Sequence, residues 1–310
     1  MIKKTRKFVQ TSILVVLFGT LSPTLNACSI CGCGDPLQAI GTENPVRGSL
    51  RLAFDLDYLT ATAESDENPT QTESLSQKSL QTLLAYSPTA DLTFVALLPF
   101  AQKDWRLTAG DEEAAFASPE GLGDMNVGLR WFLVTDVDFK NISSFNFAVA
   151  AGSTLPTGRE DDVDSNGDRF DQHAQLGTGA WGPYAGVLTS WVVRNWSFSA
   201  NLHALFHTVN AYQYHFGTAV TWGLQAQVSP NDYYALSLGL EGRRADQDTS
   251  LGDPQINTGG TVMDLTPGFS FKPAETWSLY AKVQIPFAFG LSGTQALGAT
   301  AILGTQVFLN

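Results

Sequence analysis

The chain has 310 residues, 44% of them hydrophobic and 11% aromatic, and only 15% charged, against roughly 25% in an average soluble domain. Its 30 acidic and 18 basic residues leave a net charge of −12, which excludes an electrostatic grip on nucleic acid, because phosphate binding needs clustered Lys and Arg. No stretch beyond the amino terminus is continuously apolar over the ~20 residues that a membrane helix needs.

The amino terminus reads as an export signal. Lys3, Lys4, Arg6 and Lys7 precede an apolar run from Ser12 to Thr20, Pro23 interrupts it, and a cut is expected next to Ala27. Residues 1–27 are therefore assigned to a signal peptide. Leu25-Asn26-Ala27-Cys28 also resembles a lipobox, which would make Cys28 a lipidated first residue. Residues 28–47 form a Cys-containing segment, with Cys28, Cys31 and Cys33 in CSICGCGDP. Thiolates at this spacing can converge on Cu or Zn. The alternative is a lipid anchor or a small disulfide knot, and three thiols without a nearby His do not close a four-ligand zinc site.

From residue 48 the chain alternates. Leu50, Leu52, Phe54, Leu56 and Tyr58 oppose Arg51, Ala53, Asp55 and Asp57; Trp196, Phe198, Ala200, Leu202, Ala204 and Phe206 oppose Ser197, Ser199, Asn201, His203 and His207. Period two means extended strands with one greasy and one wet face. Runs of ten residues or more exceed the usual five or six of a soluble strand and match the ~9–11 that a tilted strand needs to cross a bilayer. About twelve strands are expected, at 48–60, 75–87, 91–103, 122–135, 141–156, 174–193, 195–209, 213–228, 231–244, 260–272, 275–288 and 295–309.

Long connections (61–74, 104–121, 157–173, 245–259) alternate with tight turns such as Ser87-Pro-Thr-Ala-Asp91, Ser229-Pro-Asn-Asp232 and Lys272-Pro-Ala-Glu275. That asymmetry is the one produced by short periplasmic turns and long external loops. The expected fold is a single antiparallel transmembrane β-barrel over residues 48–310, all-β, in the outer membrane of a Gram-negative cell, as a monomer or small homo-oligomer. A soluble β-sandwich is the competing architecture. Trp131, Trp181, Tyr184, Trp191, Trp196, Trp222, Tyr233, Tyr234, Trp277 and Tyr280 are assigned to aromatic girdles at the two interfaces.

Gly121-Leu-Gly-Asp124 opening a strand, Leu155-Pro-Thr-Gly158 closing the next, and the Ser-Pro-x-x-Asp turns make the chain resemble the bacterial outer-membrane family of MetA-pathway phenol-degradation transporters. The resemblance covers most of residues 48–310. It implies a barrel that passes small, often hydrophobic or aromatic, molecules, and it carries no catalytic residues. Barrels of this kind usually finish on an aromatic residue, whereas here Phe308 is followed by Leu309-Asn310.

The alternation points Arg51, Asp55, Asp57, Asp124, Arg130, His203, His207, His215, Glu241, Arg243, Asp264 and Lys282 inward. Mixed charges in a narrow bore either select solutes or pair and shut it. His203 and His207, four residues apart on one strand, stand about 13 Å from each other, too far to chelate one ion. The loop Arg159–Asp171 carries Asp162, Asp164, Asn166 and Asp168 around Gly167, the first half of a calcium loop. His173 occupies the place of its bidentate Glu. Without a G-x-S-x-G turn or a Ser/His/Asp grouping, no hydrolase is expected and no catalytic residue is assigned. The leading function is an outer-membrane channel for a small solute, with no required cofactor and with lipid and solute as partners. A closed structural or surface-interaction barrel, and metal handling through the C-x-x-C-x-C segment, are the alternatives.

Overall fold

The computed structural model describes residues 46–64, 70–110 and 112–309. The signal peptide, Cys28, Cys31 and Cys33 lie outside the described residues. Twelve strands make the wall: β1 (Leu50–Glu64), β2 (Gln71–Tyr86), β3 (Leu92–Ala109), β4 (Met125–Asp138), β5 (Ser143–Leu155), β6 (Gly182–Val193), β7 (Trp196–Leu205), β8 (Ala219–Val228), β9 (Tyr234–Ala245), β10 (Gly260–Ala274), β11 (Trp277–Leu291) and β12 (Thr300–Leu309). Each pairs antiparallel with its chain neighbours. β12 returns to β1 in continuous register, from Leu50↔Leu309 to Tyr58↔Ala301, so the sheet closes as an all-β barrel. Closure leaves the wall without an open edge, which hydrocarbon demands because it offers no water to unpaired backbone groups.

The outward face is the greasy one. Phe54, Leu56, Tyr58, Leu80, Leu84, Phe94, Leu98, Phe100, Trp131, Trp191, Phe198, Leu202, Leu224, Leu238, Phe269, Ile285 and Leu303 are all exposed. Burying none of these side chains makes sense only if lipid, rather than water, meets them. At a bulge between Phe132 and Val134, Leu133 and Val134 both turn outward without breaking the β4–β5 ladder.

β1, β2 and β3, at 15, 16 and 18 residues, overshoot the belt, and their polarity inverts as they do. Above Tyr58, Leu80 and Phe100 the outward positions become Thr60, Thr62, Ser74, Ser76, Lys78, Gln102, Asp104 and Arg106, while Leu59, Ala61, Ala63, Leu75 and Trp105 are buried inside. Residues 61–64 and 71–74, expected within a long loop, are therefore strand. A strand that leaves lipid for water must exchange its faces, and the exchange hides it from a search for greasy-out alternation.

Three other expectations need correction. Residues 174–181, assigned to a strand, belong instead to a connection of residues 156–181 that turns into the barrel mouth, where Phe170, Ala174, Leu176 and Ala180 are buried. Residues 213–218, assigned to the start of a strand, precede β8: Tyr214 and His215 pair with Thr249 and Ser250 in a separate three-stranded sheet. Tyr214 and Phe216 are buried there rather than on the outer belt. Tyr184 and Tyr280, assigned to the girdles, point inward, because their parity along β6 and β11 is that of Leu188 and Lys282.

Candidate functional site

The inner wall is unevenly mixed: apolar side chains cluster on one side with Ser79, Thr93, Asn146, Ser190 and His203 buried among them, and most acidic side chains lie on the other. An apolar arc runs over β1–β3 and β5–β7 through Ala53, Leu83, Val95, Leu97, Ala150, Tyr184, Leu188 and Leu205. Tyr184 bridges its two parts by lying flat across Gly152 and Gly128. A Cβ on Gly128 would stand 2.1 Å from the Tyr184 Oη, and one on Gly152 would stand 2.4 Å from it. Only a residue without a side chain leaves room for that ring against the wall. Tyr280 does the same over Gly304, where its hydroxyl donates to Asp55. Large side chains laid on glycine keep their bulk out of the bore.

The charged arc runs from β9 through β10, β11 and β12 to β1, where the pairing sets Glu241 beside Asp264 and aligns Lys282, Ile302 and Asp57 in one row. Asp57 accepts from Ser79 (3.2 Å) and Gln81 (2.5 Å), and Glu241 from Gln284 (2.7 Å). Three of the cations rest on aromatic rings: Arg51 over Phe308 at 6.0 Å, Arg130 over Phe132 at 4.8 Å and Lys282 over Tyr280 at 5.4 Å. A ring face is a partly compensating partner for a cation withdrawn from water. His203 is buried on β7, with its Nδ1 2.9 Å from the Thr221 hydroxyl.

Asp124, His207 and His215 fall outside the wall strands, in the connections at the external end. Asp124 is a knot between two stretches that the sequence singles out separately. Its carboxylate accepts from the Gly158 amide (2.8 Å), the Thr178 amide (2.7 Å) and the Thr178 hydroxyl (2.6 Å), while the Thr157 hydroxyl donates to the Gly123 carbonyl (3.1 Å). The Gly-Leu-Gly-Asp and Leu-Pro-Thr-Gly motifs thus meet in space and fix both ends of the inward connection.

That connection, with residues 206–218 and 246–259, forms a cap. Lys103, buried on β3, donates to the carbonyls of His173 (3.0 Å) and Gln175 (2.5 Å), and Phe170 stacks on Trp105 at 5.3 Å. Asn210 donates to Gln172 (3.2 Å) and to the Thr178 carbonyl (3.0 Å). His173 Nε2 lies 2.6 Å from Asp248, which also accepts from Tyr214 Oη (2.8 Å) and the Gly217 amide (2.7 Å). Burial alone would lower the His173 pKa, but the Asp248 carboxylate outweighs it and holds the imidazole above its usual value. Burial would likewise raise Asp248, and the same partners hold it below the usual carboxylate range. Burial and the nearby Arg243 push His207 down to about 4.

The acidic loop uses its carboxylates locally. Asp162 pairs with Arg159 at 3.4 Å, Asp164 accepts from the amides of Asn166 and Asp168, and the Asn166 side chain donates to the Ala114 carbonyl. Among the described residues no three His, Cys, Asp or Glu side chains gather to hold a metal ion. Lys103, Asn210, Tyr214 and Asp248 escaped the sequence reading. A cation at the inward parity of an otherwise apolar strand was the available signal for Lys103.

The profile of the family described as a conjectural MetA-pathway of phenol degradation matches residues 63–299. No curated protein matches the chain in sequence. Among solved structures, an outer membrane channel from Pseudomonas putida F1 is 12% identical over 87% of this chain and 99% of its own, with a TM-score of 0.66. The translocator domain of the autotransporter NalP from Neisseria meningitidis (15% identity, 90% and 92% covered, TM-score 0.47) and the CymD monoaromatic hydrocarbon channel (9%, 92% and 98%, 0.45) align more weakly.

Proposed function

The chain belongs to the family described as the MetA-pathway of phenol degradation, and from that premise we propose that it is an outer-membrane channel for small hydrophobic or aromatic solutes. One observation carries the reading: the inside of a closed barrel holds an apolar cluster on β1–β3 and β5–β7 together with acidic and basic residues concentrated on β9–β12 and β1. A purely ionic bore would suit hydrated ions, and a packed apolar one would only fill space. The two chemistries together suit a planar molecule with an apolar ring and one polar edge. Twelve strands enclose more room than the side-chain-filled eight-stranded barrels and less than the sixteen-stranded aqueous porins. The fold shared with the Pseudomonas putida channel supports passage. The proposal is passage rather than catalysis, and the protein needs no cofactor for it.

Purified protein in planar bilayers is expected to conduct, and phenol or toluene added on one side to interrupt the current. Silence in the bilayer together with unchanged solute uptake on gene deletion would retire the channel. The cap favours a second reading, a barrel shut at its outer mouth. That reading predicts silence until the 156–181 connection is shortened.

A further inference from the structure

Arg243 differs from the other inward cations. Arg51, Arg130 and Lys282 lie over aromatic rings, and Lys103 donates to two carbonyls. Arg243 projects inward from the external end of β9, between Thr221 and Val262 in the ladder. Its guanidinium has no acceptor among the described residues, and its Nε is buried without one. The nearby carboxylates are engaged elsewhere: Asp248 with His173, Tyr214 and the Gly217 amide, and Glu241 with Gln284. His207, close enough to feel the Arg243 charge and held neutral by burial and that charge, has a buried Nδ1 that also lacks a partner. Adjacent rows of the wall supply Leu205, Ala219 and Val262.

A buried guanidinium Nε left without an acceptor is costly, and the half-buried side chain keeps its two terminal nitrogens free for an acceptor in the bore. We propose that Arg243, with His207 near it, is a subsite that docks an acidic oxygen, carboxylate or phenolate, on an otherwise apolar solute. A planar fork of donors matches two carboxylate oxygens at once, and the buried Leu205 and Val262 keep the wall around it apolar. The inference rests on the channel reading and narrows it, from any small hydrophobic molecule to those that carry an anionic oxygen through the outer third of the bore.

Equilibrium dialysis of labelled benzoate against the full-length protein in detergent tests it, with phenol above its own dissociation pH as a second arm and benzyl alcohol as the uncharged one. Wild type is expected to bind benzoate saturably. Arg243→Gln is expected to weaken it by about tenfold or more, the scale of a lost charge-assisted pair, and to leave benzyl alcohol unchanged. Arg106→Gln, which removes an exposed external charge, controls for net charge, and retention of heat-modifiable gel mobility controls for folding. Binding of both anions that is equal in wild type and Arg243→Gln, or absent from both proteins, overturns the subsite. Binding by phenolate alone would assign it to phenols, and binding by benzoate alone to carboxylates. A protein silent in bilayers that still binds benzoate through Arg243 loses the channel reading and keeps the subsite. A conducting protein whose binding ignores Arg243 does the reverse.

Discussion

The wall and the cap of this barrel are held together by opposite strategies. In the wall, backbone ladders repeat around a closed ring, and most side chains need only be apolar outside and of suitable size inside. In the cap, residues 156–181, 206–218 and 246–259 lack a continuous ladder, and a few buried polar atoms with named partners replace it: Asp124, Lys103, Asn210, and Asp248 with His173. Redundant bonding tolerates single losses, whereas a network of unique bonds does not. A substitution in the cap should therefore have a large and local effect, and one in the wall an effect decided by volume.

The sharpest test is Asp248→Ala. It removes the acceptor shared by the buried His173 imidazole, the Tyr214 hydroxyl and the Gly217 amide, leaving His173 and Tyr214 only their 2.9 Å contact with each other, and removing one member of a buried pair costs about 3–5 kcal/mol. Hydrogen exchange should accelerate across residues 206–218 and 246–259 while β1–β12 keep their protection. Equal protection of the cap in the variant would mean that the network is not what holds it. Next comes the wall, through Gly128→Val. The new side chain collides with Tyr184, and overpacking of this kind costs about 1–3 kcal/mol, read as a lower urea midpoint in lipid vesicles. Adding Tyr184→Ala should recover part of the loss, a non-additivity that two unrelated sites would not show. The smallest effect concerns pH. His207 has a folded pKa of about 4 against an ordinary 6.5, so between those values the opened cap binds a proton that the closed cap refuses. Stability of the cap should therefore fall as pH drops from about 6.5 to about 4. His207→Gln should flatten that fall in hydrogen exchange, and an unchanged slope would place the sensitivity elsewhere.

Most of the wall is legible in the sequence because each strand there meets two media and writes both into alternate positions: Trp196 to Phe206 against Ser197 to His207 show it without ambiguity. Alternation reports that a residue changes face, and it does not name the medium. Tyr214 and Phe216 alternate as well as Val220 and Trp222 do, yet they pack inside the cap, so the alternation runs six residues ahead of β8. The upper parts of β1–β3 fail in the reverse sense, since Thr60, Thr62, Ser74 and Ser76 face outward where lipid has ended. Of the residues expected to point inward, those on strands could be placed by parity alone. Asp124, His207 and His215 could not, because turns reset the count. The family motifs were visible as short strings, but that Asp124 and Gly158 touch depends on a contact 34 residues apart in the chain, which no local pattern encodes.

The inverted faces of β1–β3 carry a thermodynamic consequence. Within the bilayer, greasy side chains exchange one hydrocarbon neighbour for another, so little drives them together except fit. Above it, Leu75, Trp105 and Phe170 are shielded from water, and their association draws on a force that fades on cooling. One polypeptide therefore folds in two solvents, and chilling should loosen its lid while leaving the ring beneath it intact.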